Sequence, residues 1–340
     1  MDSSSLAHCK WECQYQIEFI PKYRKQGVDV ETLKQAKALM DALGVDAETA
    51  AQLVFEAEKL GMSVETLKKQ AAELSKALGV DGKTAAMMAL EAKRLGVSLD
   101  TVKLSDSALK KMDVDSGDAK GSAFGKLTAR ATKRTNTAIT LQWKKVSEAD
   151  GYLIYGNQCG KKYKMKLVKT IKKNKTVKLN FKGLKKGKYY KYMVVAYKNV
   201  NGQKMPIAAS VTVHCATKGM KYTIAKSVKV NKTKVTIKKG KTFQIKASEV
   251  KDEKKKTIKQ HRKIKYESDN KKVAKVNKNG KITAKGKGKT TIYVYAQNGL
   301  YKKIATVNAK GKITGKKKGT CTVWAYAQNG IFKAIKVTVK

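Results

Sequence analysis

Two hydrophobic periods divide the chain. Between residues 27 and 104, apolar residues recur every three or four positions, which is typical of short amphipathic helices. From about residue 126 onward, apolar and polar residues alternate over short runs broken by Gly, Asn and Lys, which is typical of antiparallel strands. The pattern predicts a mainly β multidomain protein, with two antiparallel β-sandwiches preceded by a small α-helical repeat segment.

The helical segment, residues 27–104, is built from five related units. They open with GVDVET, GVDAET, GMSVET, GVDGKT and GVSLDT, 17 or 18 residues apart, beginning at Gly27, Gly44, Gly61, Gly79 and Gly96. Each Gly closes the preceding helix with a positive φ, and the Asp or Ser two residues later caps the next helix. These caps are Asp29, Asp46, Ser63, Asp81 and Ser98. The units predict four short antiparallel helices, with a fifth starting near residue 98.

The charge of this segment bears on its function. Residues 27–104 carry 10 basic and 12 acidic side chains, whereas helix-turn-helix units that bind DNA usually present a basic recognition face. The balance therefore favours a structural spacer or a module that binds another protein. Residues 105–125, which are rich in Ser, Asp and Gly without long apolar runs, are predicted to form a linker.

The first β region covers residues 126–217. Its strand-like runs are AITLQWKKV, GYLIYG, KLVKTI, TVKLNF, YYKYMVVAYKNV and AASVTVHCAT. Trp143 is expected in the core, facing Tyr152 or Ile154. An L-x-x-G-x-x-Y spacing that ends at Tyr190 allows a tyrosine corner, in which the hydroxyl bonds back to the preceding turn.

The motif W-x-x-V-x-x-A-D-G-Y-x-I-Y precedes that corner, starting at Trp143. Together the two motifs resemble the fibronectin type III domain, in the lysine-rich form found in extracellular proteins of Gram-positive bacteria. The resemblance covers about ninety residues and implies a spacer or binding module with no shared catalytic site. Cys159 and Cys215 fall in this region, but the sequence alone does not assign a bridge between them.

The second β region covers residues 218–340 and begins with the strongly alternating run KSVKVNKTKVTIKKGKTFQIKA. Seven apolar residues are expected to point inward, while lysines fill the outward positions: Val228, Val230, Val235, Ile237, Phe243, Ile245 and Ala247. The motifs SDNKKVAKV and GKITAKGKG follow. They resemble the group 2 bacterial Ig-like domain, a common module of stalks and adhesins.

One half of this second domain is duplicated with an offset of 31 residues. VNKNGKIT at Val276 recurs as VNAKGKIT at Val307, and VYAQNG at Val294 recurs as AYAQNG at Ala325. Either copy could complete a sandwich with residues 226–250, leaving the other to lengthen a sheet or to offer an unpaired edge. We expect the final copy to be as well ordered as the first.

Four aromatic residues alternate away from the apolar positions of these copies: Tyr293, Tyr295, Trp324 and Tyr326. An outward aromatic strip among lysines would suit glycans or single-stranded nucleic acid, which makes the four residues candidate ligand contacts. Ordinary cross-strand pairing that stabilises the sheet is the favoured alternative.

The opening stretch, residues 1–26, contains AHCKWECQYQIEFIPKYRKQ. It resembles the N-terminus of small HUH-type transposases of insertion sequences, whose chemistry needs a pair of metal-binding histidines and a nucleophilic tyrosine. Gln16 replaces the usual histidine, and the histidines of the chain, His8, His214 and His261, form no such pair. We interpret the stretch as a fragment left by an in-frame insertion, an event that would also explain a lost signal peptide.

Charge is distributed unevenly along the chain. Residues 1–120 hold 17 basic and 19 acidic side chains, whereas residues 121–340 hold 58 basic and 7 acidic ones. Such a cationic region attracts anionic partners, including nucleic acid, cell-wall glycopolymers, lipid phosphates and acidic glycans. The simpler alternative is that lysines line the solvent faces of strands and keep sheet edges from pairing.

Several classes of function are disfavoured. The seven acidic residues beyond position 120 form no acid and base pair, and KGKGK at residues 285–289 reads as a turn, with no phosphate-binding helix start. We therefore expect no enzyme activity, no cofactor and no metal site. The five cysteines form no framework and are expected to be free thiols. No membrane span and no signal peptide are predicted.

The leading hypothesis is a non-catalytic cell-surface or secreted protein, in which the β domains act as an adhesion or spacer module. Its partners would be anionic polymers, either cell-wall glycopolymers or glycans, or another protein. The alternative is a nucleic-acid-binding protein derived from a transposase and catalytically incomplete; a fused gene product without a selected role is a third hypothesis. Resemblance favours an extracellular location, and a cytoplasmic location stays open because no signal peptide is visible.

Overall fold

The computed structural model of the protein describes residues 30–111, 126–219, 221–304, 319–326 and 332–339, the last two as backbone only. Some predictions fall outside the described residues: those on residues 1–26, on the cap Asp29 and on the side chains of Trp324 and Tyr326.

Six helices come first in the described chain. They are α1 (Val30–Leu43), α2 (Ala47–Lys59), α3 (Val64–Leu78), α4 (Gly82–Leu95), α5 (Leu99–Val102) and α6 (Asp106–Lys111). Each junction between the longer helices follows from its sequence unit. The caps Asp46, Ser63 and Asp81 accept a hydrogen bond from the N–H of the Thr three residues later, at 2.8, 3.2 and 2.8 Å. The glycines between helices have φ values of +60° to +69°.

The helices pack closely through their apolar faces. The buried residues of α1 and α2 recur at helical spacing: Leu33, Ala36, Leu39, Ala50, Leu53, Val54 and Ala57. Gly82, the first residue of α4, lies directly on the end of α1. A Cβ at this position would come within 2.2 Å of the carbonyl oxygen of Leu43, so only glycine fits the contact.

Helix α6 corrects the prediction that residues 105–125 form a linker throughout. The hydroxyl of Ser105 accepts a hydrogen bond from the N–H of Ala108, and Leu109 is buried with Leu153 of the first sandwich. Asp106 accepts a 2.6 Å hydrogen bond from the hydroxyl of Tyr155. The helix is therefore fixed by a β domain that follows it, a contact that local sequence does not encode.

The first β-sandwich holds eight strands. They are β1 (Ala129–Arg134), β2 (Ile139–Trp143), β3 (Gly151–Gln158), β4 (Lys166–Ile171), β5 (Lys178–Phe181), β6 (Tyr189–Val200), β7 (Gln203–Ala209) and β8 (Val213–Ala216). One sheet has the order β1-β2-β5 and the other β4-β3-β6-β7, with β8 also paired to β6. All of these pairings are antiparallel.

Two aromatic residues singled out in the sequence occupy the interior of this sandwich. Trp143 is buried and meets Tyr152 edge-on, with ring centroids 5.4 Å apart. The hydroxyl of Tyr190 accepts a hydrogen bond from the N–H of Lys185 at 2.8 Å, which is the geometry of a tyrosine corner.

The second β-sandwich also holds eight strands. They are β9 (Ala225–Val230), β10 (Thr242–Gln244), β11 (Ala247–Lys251), β12 (Lys265–Ser268), β13 (Ala274–Val276), β14 (Lys281–Ala284), β15 (Ile292–Tyr295) and β16 (Tyr301–Ile304). They pair as β10-β14-β13, β9-β11 and β12-β15-β16. The alternating run places Val228, Ile237 and Ile245 in the buried core, and its other four apolar residues pack against that core.

The two described strands of the second copy pair with each other. Strands β17 (Gly319–Tyr326) and β18 (Phe332–Val339) pair with each other in a two-stranded sheet, with no further pairing among the described strands. The first copy, β15 and β16, pairs with β12 and completes the second sandwich. The sequence had left open which copy does so. The prediction that the final copy is as well ordered as the first falls largely outside the described residues.

Candidate functional site

The two sandwiches meet at the turn between β15 and β16, residues 296–299. The N–H of Ala131 donates to the carbonyl of Asn298 at 3.1 Å, and the N–H of His214 donates to the carbonyl of Gln297 at 2.7 Å. Gly299 has a φ of +81°, and a Cβ there would come within 2.0 Å of the carbonyl oxygen of Ala129. Glycine is therefore required both by the backbone conformation and by the close approach of the neighbouring domain.

Arg262 donates hydrogen bonds to the same turn and to the first sandwich. Its side chain is only 1% exposed. The guanidinium donates to the carbonyls of Thr212 and Ala296, at 3.1 and 2.7 Å, one in each sandwich. A fixed fork of donors suits this task, because several carbonyl oxygens are satisfied by one buried group.

A second polar cluster closes the junction near Thr223. Arg134 of the first sandwich donates to the hydroxyl of Thr223 at 2.9 Å and forms an ion pair with Glu253. The hydroxyl of Tyr189 donates to the carbonyl of Thr223 at 2.6 Å, and burial raises the pKa of that phenol well above its usual value. A hydrogen bond from Lys256, reinforced by Arg134, lowers the pKa of Glu253.

Two histidines face each other inside the junction. The rings of His214 and His261, one from each domain, are parallel within 4° with centroids 5.9 Å apart. The Nδ1 atom of His214 lies 3.4 Å from the Sγ of Cys159. These contacts add to the hydrogen bonds that join the two sandwiches at the turn and near Thr223.

The predicted aromatic strip is covered by this arrangement. Tyr293 and Tyr295 share the face of β15 opposite to Ile292 and Val294, but they are only 9% and 0% exposed. Both form a buried cluster with Val211 of the first sandwich. The hypothesis of an outward strip, which was less favoured than ordinary cross-strand pairing, is therefore wrong for these two residues, because Val211 of the neighbouring domain packs on the face that the strip would have exposed.

A third tyrosine, Tyr301, is exposed to solvent and was not predicted from the sequence. Tyr301 is 37% exposed, and its ring lies 5.5 Å from that of Tyr293 and 5.7 Å from that of Tyr295. It is the cross-strand partner of Tyr295. The spacing of Tyr295 and Tyr301, each three residues from Asn298, is the signal that could have revealed it.

Tyr301 lies between two cavities at the domain junction. The smaller, of about 190 Å³, is lined by both domains, and the larger, of about 490 Å³, is lined by the second domain. Five cations line the pair: Arg130 and Lys144 in the smaller cavity, and Lys226, Lys229 and Lys302 in the larger. All five side chains are exposed, and no carboxylate is among the residues that line either cavity. We call this site the Tyr301 crevice.

The two cysteines whose side chains are described, Cys159 and Cys215, are both buried. Cys215 pairs with Tyr190 across β8 and β6, while Cys159 follows the strand on the opposite side of β6. Because adjacent strands lie about 4.8 Å apart, two strand spacings exceed the reach of a disulfide. Burial raises the pKa of the Cys215 thiol to about 12, so this group is not a ready nucleophile.

Neither a metal-binding cluster nor a membrane-spanning helix is found among the described residues. No group of three or more His, Cys, Asp and Glu side chains among them is placed to hold a metal ion. No helix in the described ranges has the length and apolar character needed to cross a membrane.

Family models match both sandwiches. Residues 125–214 match the fibronectin type III domain, and residues 224–303 match the bacterial Ig-like domain (group 2). The chain contains these two domains in tandem. Tandem modules of these families are typical of extracellular surface or adhesion-type proteins, often bind proteins or carbohydrates and are typically non-catalytic. The 31-residue second copy begins beyond the end of the Ig-like match.

Solved structures of fibronectin type III domains are similar to part of the chain. A domain of human fibronectin type III domain containing protein 3 is 22% identical, with a TM-score of 0.24, over 31% of this chain and 94% of that one. The FN5 domain of Drosophila Lar is 23% identical, with a TM-score of 0.22, over 27% of this chain and 92% of that one. No curated protein matches the chain.

Proposed function

We propose that the protein is a non-catalytic surface or secreted module that binds anionic envelope polymers or glycans and holds its domains in a fixed spacing. The observation that carries the proposal is uncompensated positive charge on the β domains. Residues 121–340 hold 58 basic and 7 acidic side chains. A surface with this balance concentrates polyanions and accelerates their association.

Several of the seven carboxylates of the β domains are engaged within the protein. Glu148 lies 3.5 Å from Lys126 and Asp150 lies 3.7 Å from Lys198. Glu253 pairs with Arg134 and Lys256 at the junction. The remaining lysines therefore face solvent without a matching set of acids, which supports attachment to a polyanion over pairing with a balanced protein surface.

The spacer part of the proposal is supported by the junction. Hydrogen bonds from the β15–β16 turn, from Arg262 and from Tyr189 connect the two sandwiches. Loosely linked domains usually share a smaller polar contact and move relative to one another. A fixed pair of sandwiches keeps the binding faces at a constant separation along an attached polymer.

Nucleic-acid binding is the second candidate, and the same charge favours it. Non-specific binding to DNA falls steeply with salt, because it is driven by the release of counterions. The resemblance of residues 1–26 to a transposase is the further motive for this candidate, in which the chain would be a catalytically incomplete relative of a mobile element.

Titrations of the full chain with cell-wall glycopolymer and with duplex DNA of equal phosphate number test the proposal. Each affinity is measured from low to physiological salt. We expect the glycopolymer to remain bound at physiological salt, while DNA binding declines to a weak, sequence-independent level. A tight, sequence-selective DNA complex at physiological salt would favour the second candidate. Equal affinities and equal salt slopes for the two polymers would contradict selection of a glycopolymer.

A further inference from the structure

We propose that the Tyr301 crevice binds a single anionic sugar unit, a saccharide ring that carries a phosphate or a carboxylate. The inference rests on the proposed function and deepens it, since it assigns one binding site on an otherwise generally cationic protein. It is carried by the exposed ring of Tyr301, by the cavities on either side of it and by the cations that line them.

The aromatic part of the site is rigid. Tyr301 packs against two buried rings, Tyr293 and Tyr295, whose own ring centroids lie 5.9 Å apart. An exposed ring held in this way loses little conformational freedom when a ligand stacks on it. Its apolar surface suits the C–H face of a sugar, while the phenol group stays available for a hydrogen bond.

The charged part of the site has one sign. Arg130 and Lys144 lie on adjacent elements of the first domain, and Lys226, Lys229 and Lys302 lie in the second. By comparison, the groove of about 410 Å³ between the helices and the first sandwich is lined by Glu56 and Glu91 as well as by Arg94. The Tyr301 crevice therefore offers an anion several donors with no competing carboxylate in its lining.

The number of open rings favours a saccharide over single-stranded nucleic acid. Proteins that bind single strands without sequence preference stack successive bases on several aromatic side chains. At the Tyr301 crevice the two neighbouring tyrosines are covered by the first domain, which leaves one open ring of the three. One exposed ring can stack on one sugar, and the flanking cations can bind the acidic group of that sugar.

The smaller cavity of the crevice exists only when the domains are docked. Gly299 and Tyr301 of the second domain line the smaller cavity together with Thr128 and Trp143 of the first. The position of the ring against Arg130 is therefore set by the docked turn at residues 296–299. This dependence gives the fixed junction a binding role in addition to its role as a spacer.

The test compares variants of the full chain by calorimetric titration. The site variants are the double substitution Arg130→Gln with Lys144→Gln, and the single substitution Tyr301→Thr. Lys166→Gln with Lys169→Gln is the matched charge control, because these exposed lysines lie on β4, outside the crevice. Tyr301→Phe is a further site variant, which keeps the ring and removes only the phenol hydroxyl. Thermal unfolding of each variant confirms that it is folded.

The ligands are a phosphorylated saccharide, a uronate saccharide, a neutral saccharide of the same ring type, inorganic phosphate and a short single-stranded DNA. We expect one of the two anionic saccharides to bind at physiological salt, and the one that binds identifies the source of the acidic group. The double substitution of Arg130 and Lys144 should weaken the affinity for this saccharide about three- to tenfold, since each exposed charge contributes at most about a factor of five to the affinity. Tyr301→Thr should weaken it about tenfold, Tyr301→Phe should weaken it less than Tyr301→Thr does, and the Lys166 and Lys169 control should stay within twofold.

The outcomes separate this inference from the function on which it rests. If the glycopolymer of the earlier titrations binds, but neither anionic saccharide binds or the site and control variants weaken its binding equally, the crevice is refuted and general charge attachment stands. If the polymer does not bind to the unaltered chain, both fail. Equal affinity for the neutral saccharide, or tighter binding of the single-stranded DNA that depends on Tyr301, would also overturn the assignment.

Discussion

Substitution of Gly299 by alanine tests the docked junction. A Cβ at this position meets the carbonyl oxygen of Ala129 at 2.0 Å, and the φ of +81° adds backbone strain. Gly240 provides the matched control, since its φ is also +81° and a Cβ there meets nothing within 4 Å. The difference between the two variants therefore reports the contact between domains.

The magnitudes follow from the bonds that the turn makes. A left-handed alanine costs about 1 kcal/mol, which is the whole expected effect of Gly240→Ala. Gly299→Ala must also displace the turn from Ala131 and His214, whose two backbone hydrogen bonds contribute about 0.5–1.5 kcal/mol each. We expect Gly299→Ala to destabilise the protein by about 2–4 kcal/mol in total.

Two readouts distinguish the local effect from a general one. Denaturant unfolding of the full chain gives the overall loss, although several domains need not unfold in one step. Amide hydrogen exchange gives the local loss at Ala131 and His214, the two donors to the turn. Equal destabilisation by both glycine variants, with unchanged exchange at these two amides, would refute the docked junction.

Three further substitutions test separate parts of the structure. Tyr190→Phe removes the acceptor for the N–H of Lys185 and should lower the free energy of unfolding by about 1 kcal/mol, measured by thermal unfolding. An unchanged free energy of unfolding would show that this hydrogen bond does not stabilise the domain. Arg262→Met leaves carbonyls in both domains without their donor and should lower the free energy of unfolding by about 2–4 kcal/mol, measured by denaturant unfolding. No change would indicate that the guanidinium is solvated and does not bind these carbonyls. Burial raises the pKa of Glu249 above 4.5, so the folded state holds its proton to higher pH and stability falls as pH rises through that window. Glu249→Gln should remove this part of the pH dependence, measured as the difference between the two unfolding curves from pH 4 upward; parallel curves would contradict the shift.

Local signals in the sequence predicted the elements well. The spacing of Gly, Asp and Thr in each repeat unit placed the helix ends because capping depends on residues only three positions apart, as Asp46 and Thr49 show. The alternation of apolar and polar residues is an equally local signal. It predicted the core of each sandwich because neighbouring residues on a strand point to opposite faces. The tyrosine corner at residue 190 also rests on a short spacing.

Contacts between domains could not be predicted in this way. Alternation assigned Tyr293 and Tyr295 to the face opposite the core, but it carries no information on whether a second domain covers that face. Helix α6 was missed because Leu109 is buried by the sandwich that follows it. Tyr301 was missed because its exposure depends on where the first domain ends against the crevice.

Fractionation of native cells tests the central claim most directly. Cells are separated into wall, membrane, cytosolic and secreted fractions, and the full chain is followed with a specific antibody. The account predicts that the chain is found in the wall or secreted fraction and that excess anionic glycopolymer releases it from the wall. Recovery in the cytosol, bound to nucleic acid and released by nuclease, would contradict the account.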